Sequence, residues 1–281
     1  MTERNIGFVS EAQQAKLRRS RVFIIGVGGM GGACLQTLIR SGIENFTLVD
    51  IDVFEYSNLN RQVFSSIKGI GRDKVEETVL QLRQINPEAK IRVINRNWLN
   101  ELDEVLPDVD LIINGMDDIK SGILLYRKAK LFRRAVIDAY TSPLPSVTLV
   151  RARDPRPEER LSFPSLGKDE TELSDKVIAD CRMKELLYVM THSNWLRAVD
   201  FKIAREIIAG TRARASFAPM VITTGNLMAY TVIEFLLGRK IAIDCKGVFL
   251  NPYTAQFERE SNFVKAAVKQ KIIQLVMEYK T

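Results

Sequence analysis

Two carboxylates, Asp50 and Asp52, close an apolar run in "NFTLVDID", and the next polar stretch reads "NLNRQ". That stretch supplies Asn58, Arg61 and Gln62, and Lys74 follows in "GRDKVEE". A guanidinium and an ammonium close behind two acids suit a ligand that carries hydroxyls at one end and dense negative charge at the other. Upstream, "GVGGMGG" places Gly26, Gly28, Gly29 and Gly31 between an apolar strand pattern and a helical one. Glycines there let the backbone turn tightly and let a phosphate approach, and the helix N-terminus behind them offers unpaired N–H groups. Asp50, roughly twenty residues on, falls where an acid binds ribose hydroxyls. A nicotinamide enzyme would share the glycines and Asp50 but has no use for "NLNRQ". The set therefore points to a nucleoside triphosphate. Downstream, "INGMDD" puts Asp117 and Asp118 just past a strand end. A carboxylate there either sits beside Mg²⁺ at the phosphates or caps the following helix, and two acids allow both roles.

The elements that must hold these residues alternate strand and helix. "RVFIIG", "NFTLVD", "KIRVIN", "DLIING" and "AVIDA" read as strands, with helices after the glycines, over 72–85 and over 120–133. This order predicts an α/β fold, a Rossmann-like, doubly wound, mostly parallel sheet with a helical insertion and C-terminal helices. "SVTLVRA" reads as one more strand, of antiparallel type. Residues 1–152 form the nucleotide-binding part, and 153–281 form the insertion and C-terminal part of the same domain. Within the latter, 153–170 reads as a loop or linker. The pattern over 171–209 is helical with a break at "THSN", and 217–237 is a helix with Pro219 in its first turn. "GVFLNPYTAQFER" gives two short strands, and "FVKAAVKQKIIQLVMEY" a C-terminal amphipathic helix.

Composition narrows the classes further. Hydrophobic content of 46% and charged content of 27% exclude a disordered or fibrous chain. No apolar run is read as reaching the roughly 18 to 20 residues of a membrane span, and the first twenty residues lack an apolar signal region, so a cytoplasmic protein without a membrane partner is expected. The net charge of +7 favours polyanionic partners, although the basic residues are spread along the chain. Cys34, Cys181 and Cys245 make neither a disulfide framework nor a CxxC knuckle, so no structural zinc is expected. Cys34 and Cys181 read as buried helical residues, and His192, the single histidine, as structural or surface.

Taken together, "GVGGMGG", "DIDVFEYSNLNRQ", "GRDKVE", Asn86–Pro87 and "GMDD" resemble the ubiquitin-activating-type adenylyltransferases, the family that includes the bacterial MoeB, ThiF and HesA proteins. The motifs cover about residues 21 to 120 in the family's order. The resemblance implies adenylation, with ATP and Mg²⁺, of the C-terminal carboxylate of a small ubiquitin-like protein or peptide, often ending in Gly-Gly. It implies that the glycines Gly26, Gly28, Gly29 and Gly31, with Asp50 and Asp52, hold the adenosine part. Asn58, Arg61, Gln62 and Lys74 would hold phosphates, and Asp117 would lie beside the metal. It also implies a homodimer in which Arg4 reaches the phosphates of the other subunit. The chain departs from the family pattern at Asp118, where Asn is common, and at Gly122, where Arg is common. "YTSPLPS" replaces a glycine-rich segment, and the zinc cysteines are missing. Two related readings stand beside the main one. One is a tRNA threonylcarbamoyladenosine dehydratase-like enzyme, with tRNA as partner. The other is a non-catalytic partner subunit of an activating enzyme.

Overall fold

The computed structural model describes residues 1–208 and 211–278. Strand β1 (Arg21–Ile25) explains why the sheet is covered on both sides. Its residues Val22 and Ile24 enter one core cluster, and Phe23 and Ile25 enter the other. A strand buried on both faces must be sandwiched between helical layers, which is the signature of a doubly wound sheet. The strands β2 (Asn45–Val49), β3 (Lys90–Val93), β4 (Leu111–Asn114), β5 (Ala135–Asp138), β6 (Ser146–Val150), β7 (Val248–Asn251) and β8 (Gln256–Glu258) complete one sheet of order β3-β2-β1-β4-β5-β6-β7-β8. The pairings from β3 through β5 are parallel, and those from β5 through β8 antiparallel. The strands of the C-terminal part thus extend the same sheet rather than form one of their own.

The helices are α1 (Glu11–Arg19), α2 (Gly29–Arg40), α3 (Lys74–Ile85), α4 (Trp98–Val105), α5 (Ile119–Leu131), α6 (Pro157–Arg160), α7 (Asp175–His192), α8 (Phe201–Ile208), α9 (Ala218–Leu237) and α10 (Phe263–Glu278). Local chemistry sets several of their ends. Ser10 and Gln13 form a reciprocal capping box on α1. Asp73 accepts from Val75 N and Glu76 N at the start of α3. Asn86 stops α3 because the following proline disfavours a helical predecessor. Ala209, where the predicted 171–209 helical stretch ends, and Tyr279, the last residue of the predicted C-terminal helix, lie outside the described residues.

Two sequence expectations change. Residues 153–170, read as a loop or linker, are irregular apart from the short α6, as a loop would be, but they are anchored rather than a free linker. Arg127 on α5 donates through Nε to Glu158 Oε2 at 3.1 Å and reaches the carbonyls of Lys168 and Ser165, so the segment folds back on α5. Glu158 is only 2% exposed; burial alone would raise its pKa, but the hydrogen bonds and charge of Arg127 outweigh that and hold it below the usual range. Secondly, α9 has 20 residues and a mean hydropathy of 1.5, enough by length and composition to cross a bilayer, contrary to the sequence reading. Here it packs on α2. Gly225 lies so close that a Cβ would fall 2.6 Å from Met30 O and 2.6 Å from Ala33 Cβ. Cys34 and Cys181 are fully buried, the latter against Ile123, Phe163 and Leu173. His192 accepts a hydrogen bond from Ser261 N at 3.0 Å, a structural role.

The α2–α9 contact yields a paired prediction. Ala in place of Gly gains about 1 kcal/mol of helix propensity. At Gly225 the clash with backbone should cost about 1–3 kcal/mol and win. At Gly122, where a Cβ would meet only Asn114 Nδ2 at 3.7 Å, the gain should survive. Urea unfolding should therefore show Gly225→Ala destabilised and Gly122→Ala stabilised.

Candidate functional site

At β1 the strand order switches direction, since β2 lies on one side and β4 on the other. In open α/β sheets a crevice forms outside the strand C-termini at such a point. Here it is a cleft of about 760 Å³. The glycine turn forms its floor. Gly26 has φ +85°, and a Cβ on it would fall 2.8 Å from the backbone of Gly115. Gly31 does not face the cleft; its Cβ would overlap Gly26 O at 1.9 Å, so its glycine serves helix–strand packing. Gly28 and Gly29 line the cleft at the start of α2.

Asp50, at the end of β2, accepts from Val27 N at 2.9 Å and Asp52 N at 3.1 Å. Burial raises its pKa, against the pull of Lys74 and the two N–H donors. Asp52 has a different task. Its Oδ2 takes Lys74 Nζ at 2.8 Å, and its carbonyl takes Lys74 N at 3.0 Å, which fixes the nearly buried lysine on the cleft wall. Asn58 is buried and shapes its own loop, accepting from Glu55 N at 3.0 Å. Arg61 is held by Ser57 O and Asn60 Oδ1, both at 2.8 Å, with its guanidinium at the cleft. Gln62 brings a buried Oε1 with no hydrogen-bond partner among the described residues, next to Gly28. Such an orphan in a cleft calls for a donor from a ligand or water.

The two acids after β4 divide their labour. Asp118 caps α5, accepting from Ser121 N at 2.9 Å. Asp117 is free of that duty, 76% exposed, and 3.9 Å from Arg214 Nη2. Its carboxylate chemistry and position suit a divalent cation. Arg4 lies in an N-terminal turn and does not line this cleft.

Sequence reasoning missed Arg96, Tyr140, Arg214 and Ser216, all of which line the cleft. Arg96 carried a usable signal, because it follows the C-terminus of β3, where ligand-facing residues gather. Arg214 carried none beyond its basic segment "TRARAS", since only the return of the chain before α9 brings it here. A smaller chamber of about 60 Å³ adjoins the cleft at Met116, Asp117, Asp118 and Thr141. Asp138 lies in it and accepts from Asn114 Nδ2 at 2.8 Å and Tyr126 Oη at 2.9 Å. Burial outweighs these donors and lifts its pKa to about 7. Among the described residues no group of three or more His, Cys, Asp or Glu side chains is arranged to hold a metal ion on its own.

The ThiF family model matches residues 2–271. Molybdopterin-synthase adenylyltransferase of Haemophilus influenzae is 38% identical over 108 residues, which is 38% of this chain and 44% of the relative. The tRNA threonylcarbamoyladenosine dehydratase of the same organism is 33% identical over 118 residues, 41% of this chain and 45% of the relative. The chain thus spans less than half the length of these curated relatives. Among solved structures, Escherichia coli MccB with ATP superposes with a TM-score of 0.60 at 22% identity, over 88% of this chain and 66% of that one. PaaA gives a TM-score of 0.59 at 21% identity, with the same coverage of 88% and 66%. These likenesses show the fold.

Asp138 makes stability depend on pH. Its pKa rises from 3.8 to about 7 on folding, so between those values the folded protein keeps a proton that the unfolded chain has lost. Stability from this group is therefore greatest at acid pH and falls as pH rises towards 7, by at most about 1.4 kcal/mol per pH unit. Urea midpoints measured from pH 4.5 to 8 should fall more steeply for the wild type than for Asp138→Asn. Parallel profiles would show that Asp138 is ionised throughout.

Proposed function

Because the chain belongs to the ThiF family, we propose that it adenylates the C-terminal carboxylate of a small carrier protein or peptide, using ATP and Mg²⁺. One observation carries this reading: a single cleft gathers the glycine turn, Asp50, Lys74, Arg61 and Asp117 at the ends of β1, β2 and β4. A dinucleotide-dependent dehydrogenase explains the turn and Asp50 but leaves the cations idle.

The chemistry requires little proton transfer. The attacking carboxylate is already ionised at neutral pH, so no general base is needed. Its oxygen forms a bond to the α-phosphorus of ATP, the bond from that phosphorus to the bridging oxygen of the β-phosphate breaks, and pyrophosphate leaves with the electron pair. The products are an acyl-adenylate and pyrophosphate. The barrier is mainly the approach of one anion to another, and fixed cations lower it without reorganising. Arg61 and Lys74 serve here, each preorganised by its own partner: Ser57 O and Asn60 for Arg61, and Asp52 for Lys74. Asp50 faces the nucleotide end with its carboxylate steadied by two backbone N–H groups. A divalent cation held by Asp117 would neutralise phosphate charge and ease departure of pyrophosphate.

We extend the proposal to assembly and location. Arg4 does not line the cleft of its own chain, so a role at the phosphates requires a second copy, which fits a homodimer. A cytoplasmic site of action accords with the use of ATP. The likeness to the dehydratase over 118 residues keeps a second reading open, in which a tRNA-borne carboxylate is the acceptor.

Calorimetry should show Mg²⁺–ATP binding more tightly than NAD, and the reverse order would sink the proposal. In substrate-dependent exchange of labelled pyrophosphate into ATP, with candidate peptides bearing a free C-terminus, Arg61→Ala and Lys74→Ala should each slow exchange about a hundredfold, equivalent to about 3 kcal/mol. Cys181→Ala should leave the rate near that of the wild type, because adenylation uses no thiol. Exchange that depends on modified tRNA and ignores every peptide would favour the dehydratase reading.

A further inference from the structure

Three charged groups stand at the cleft mouth in an arrangement that the reaction as described does not use. The segment 211–217, just before α9, lines the cleft through Arg214 and Ser216 and is tied to the "NLNRQ" loop by Asn60 Nδ2 donating to Ser216 O at 2.9 Å. It carries Arg214, whose Nη2 lies 3.9 Å from Asp117 Oδ2. Arg61 is close to both: burial lowers its pKa first, the neighbouring Arg214 lowers it further, and Asp117 offsets part of this. Arg214 is thus the guanidinium paired with the Asp117 carboxylate, and Arg61 stands nearby. That carboxylate is also the group best placed for a divalent cation, since Asp118 is committed to the α5 cap.

Arg214 and a divalent cation cannot both have full use of Asp117. The ion pair is long and exposed, with 44% of the Arg214 side chain and 76% of the Asp117 side chain open to solvent. Pairs of this kind contribute little, so the contact is easily exchanged. We propose that Arg214 is a placeholder on Asp117, displaced when a divalent cation arrives with the nucleotide. The proposal rests on the ATP-dependent reading given above. Displacement frees the Arg214 guanidinium at the cleft mouth, where it draws the next anion, the acyl carboxylate.

The sign of one substitution tests this. Mg²⁺ is titrated at fixed ATP by calorimetry, with no acyl substrate present. Arg214→Gln removes the competitor, so half-saturation should need about two- to fivefold less Mg²⁺ than in the wild type. Arg214→Lys, which keeps the charge, should stay closer to the wild type. In an Asp117→Asn background, where there is nothing to compete for, Arg214→Gln should no longer change the Mg²⁺ requirement. Urea midpoints equal to that of the wild type establish that the variants fold. If Arg214→Gln needs as much Mg²⁺ or more, or binds ATP more weakly at saturating Mg²⁺, then Arg214 is a bystander or a phosphate ligand and the placeholder role is wrong, while the proposed function stands. If the wild type binds no ATP at any Mg²⁺ concentration, both fall.

Discussion

Everything at the cleft depends on how closely three stretches of backbone meet at the switch point. Gly26 N donates to Val49 O at 2.8 Å, and Gly115 N donates to Ile25 O at 2.7 Å, so the chain leaves β1 and β4 still bonded to its neighbours. Between them there is no room for a side chain. A Cβ on Gly115 would fall 2.4 Å from Gly26 O, and one on Gly31 would overlap the same oxygen. This approach lets α2 start hard against the sheet and aims its N-terminal N–H groups into the cleft. Gly225 continues the constraint outwards, because it lets α9 press on α2 and so determines where the strap before α9 returns across the site.

The charged groups follow a second rule, that a buried ion keeps a partner. Lys74 is almost buried and has Asp52, and Glu158 is buried and has Arg127. These pairs hold position: one sets an ammonium on the cleft wall, and the other folds the 153–170 segment onto α5. Removing Asp52 or Arg127 would leave the buried Lys74 or Glu158 uncompensated, which costs far more than an intact pair contributes. At the cleft mouth the opposite holds. Asp117 and Arg214 are largely open to solvent, and their contact is loose enough to be exchanged for a ligand. Rigid pairs at depth and labile ones at the rim give a site that is preorganised and still able to admit substrate.

Much of this was legible in the sequence. The alternation of strand and helix, the α3 stop at Asn86–Pro87, Pro219 in the first turn of α9 and the glycine–acid spacing are local patterns set by backbone sterics and side-chain period. So was the convergence of Gly26, Gly28, Gly29, Asp50, Lys74 and Asp117, because a doubly wound sheet brings all its strand C-termini to one edge. Tertiary structure decided the rest, where the outcome depended on residues distant in the chain. It gave Asp52 to Lys74, Asp118 to the α5 cap and Gly31 to packing. It turned an apparent linker into a segment clamped by Arg127, and it carried Arg214 from an ordinary basic stretch to the carboxylate at the cleft. No local period encodes such pairings. They arise when helices close on the sheet and each charge takes the partner that the packing leaves within reach.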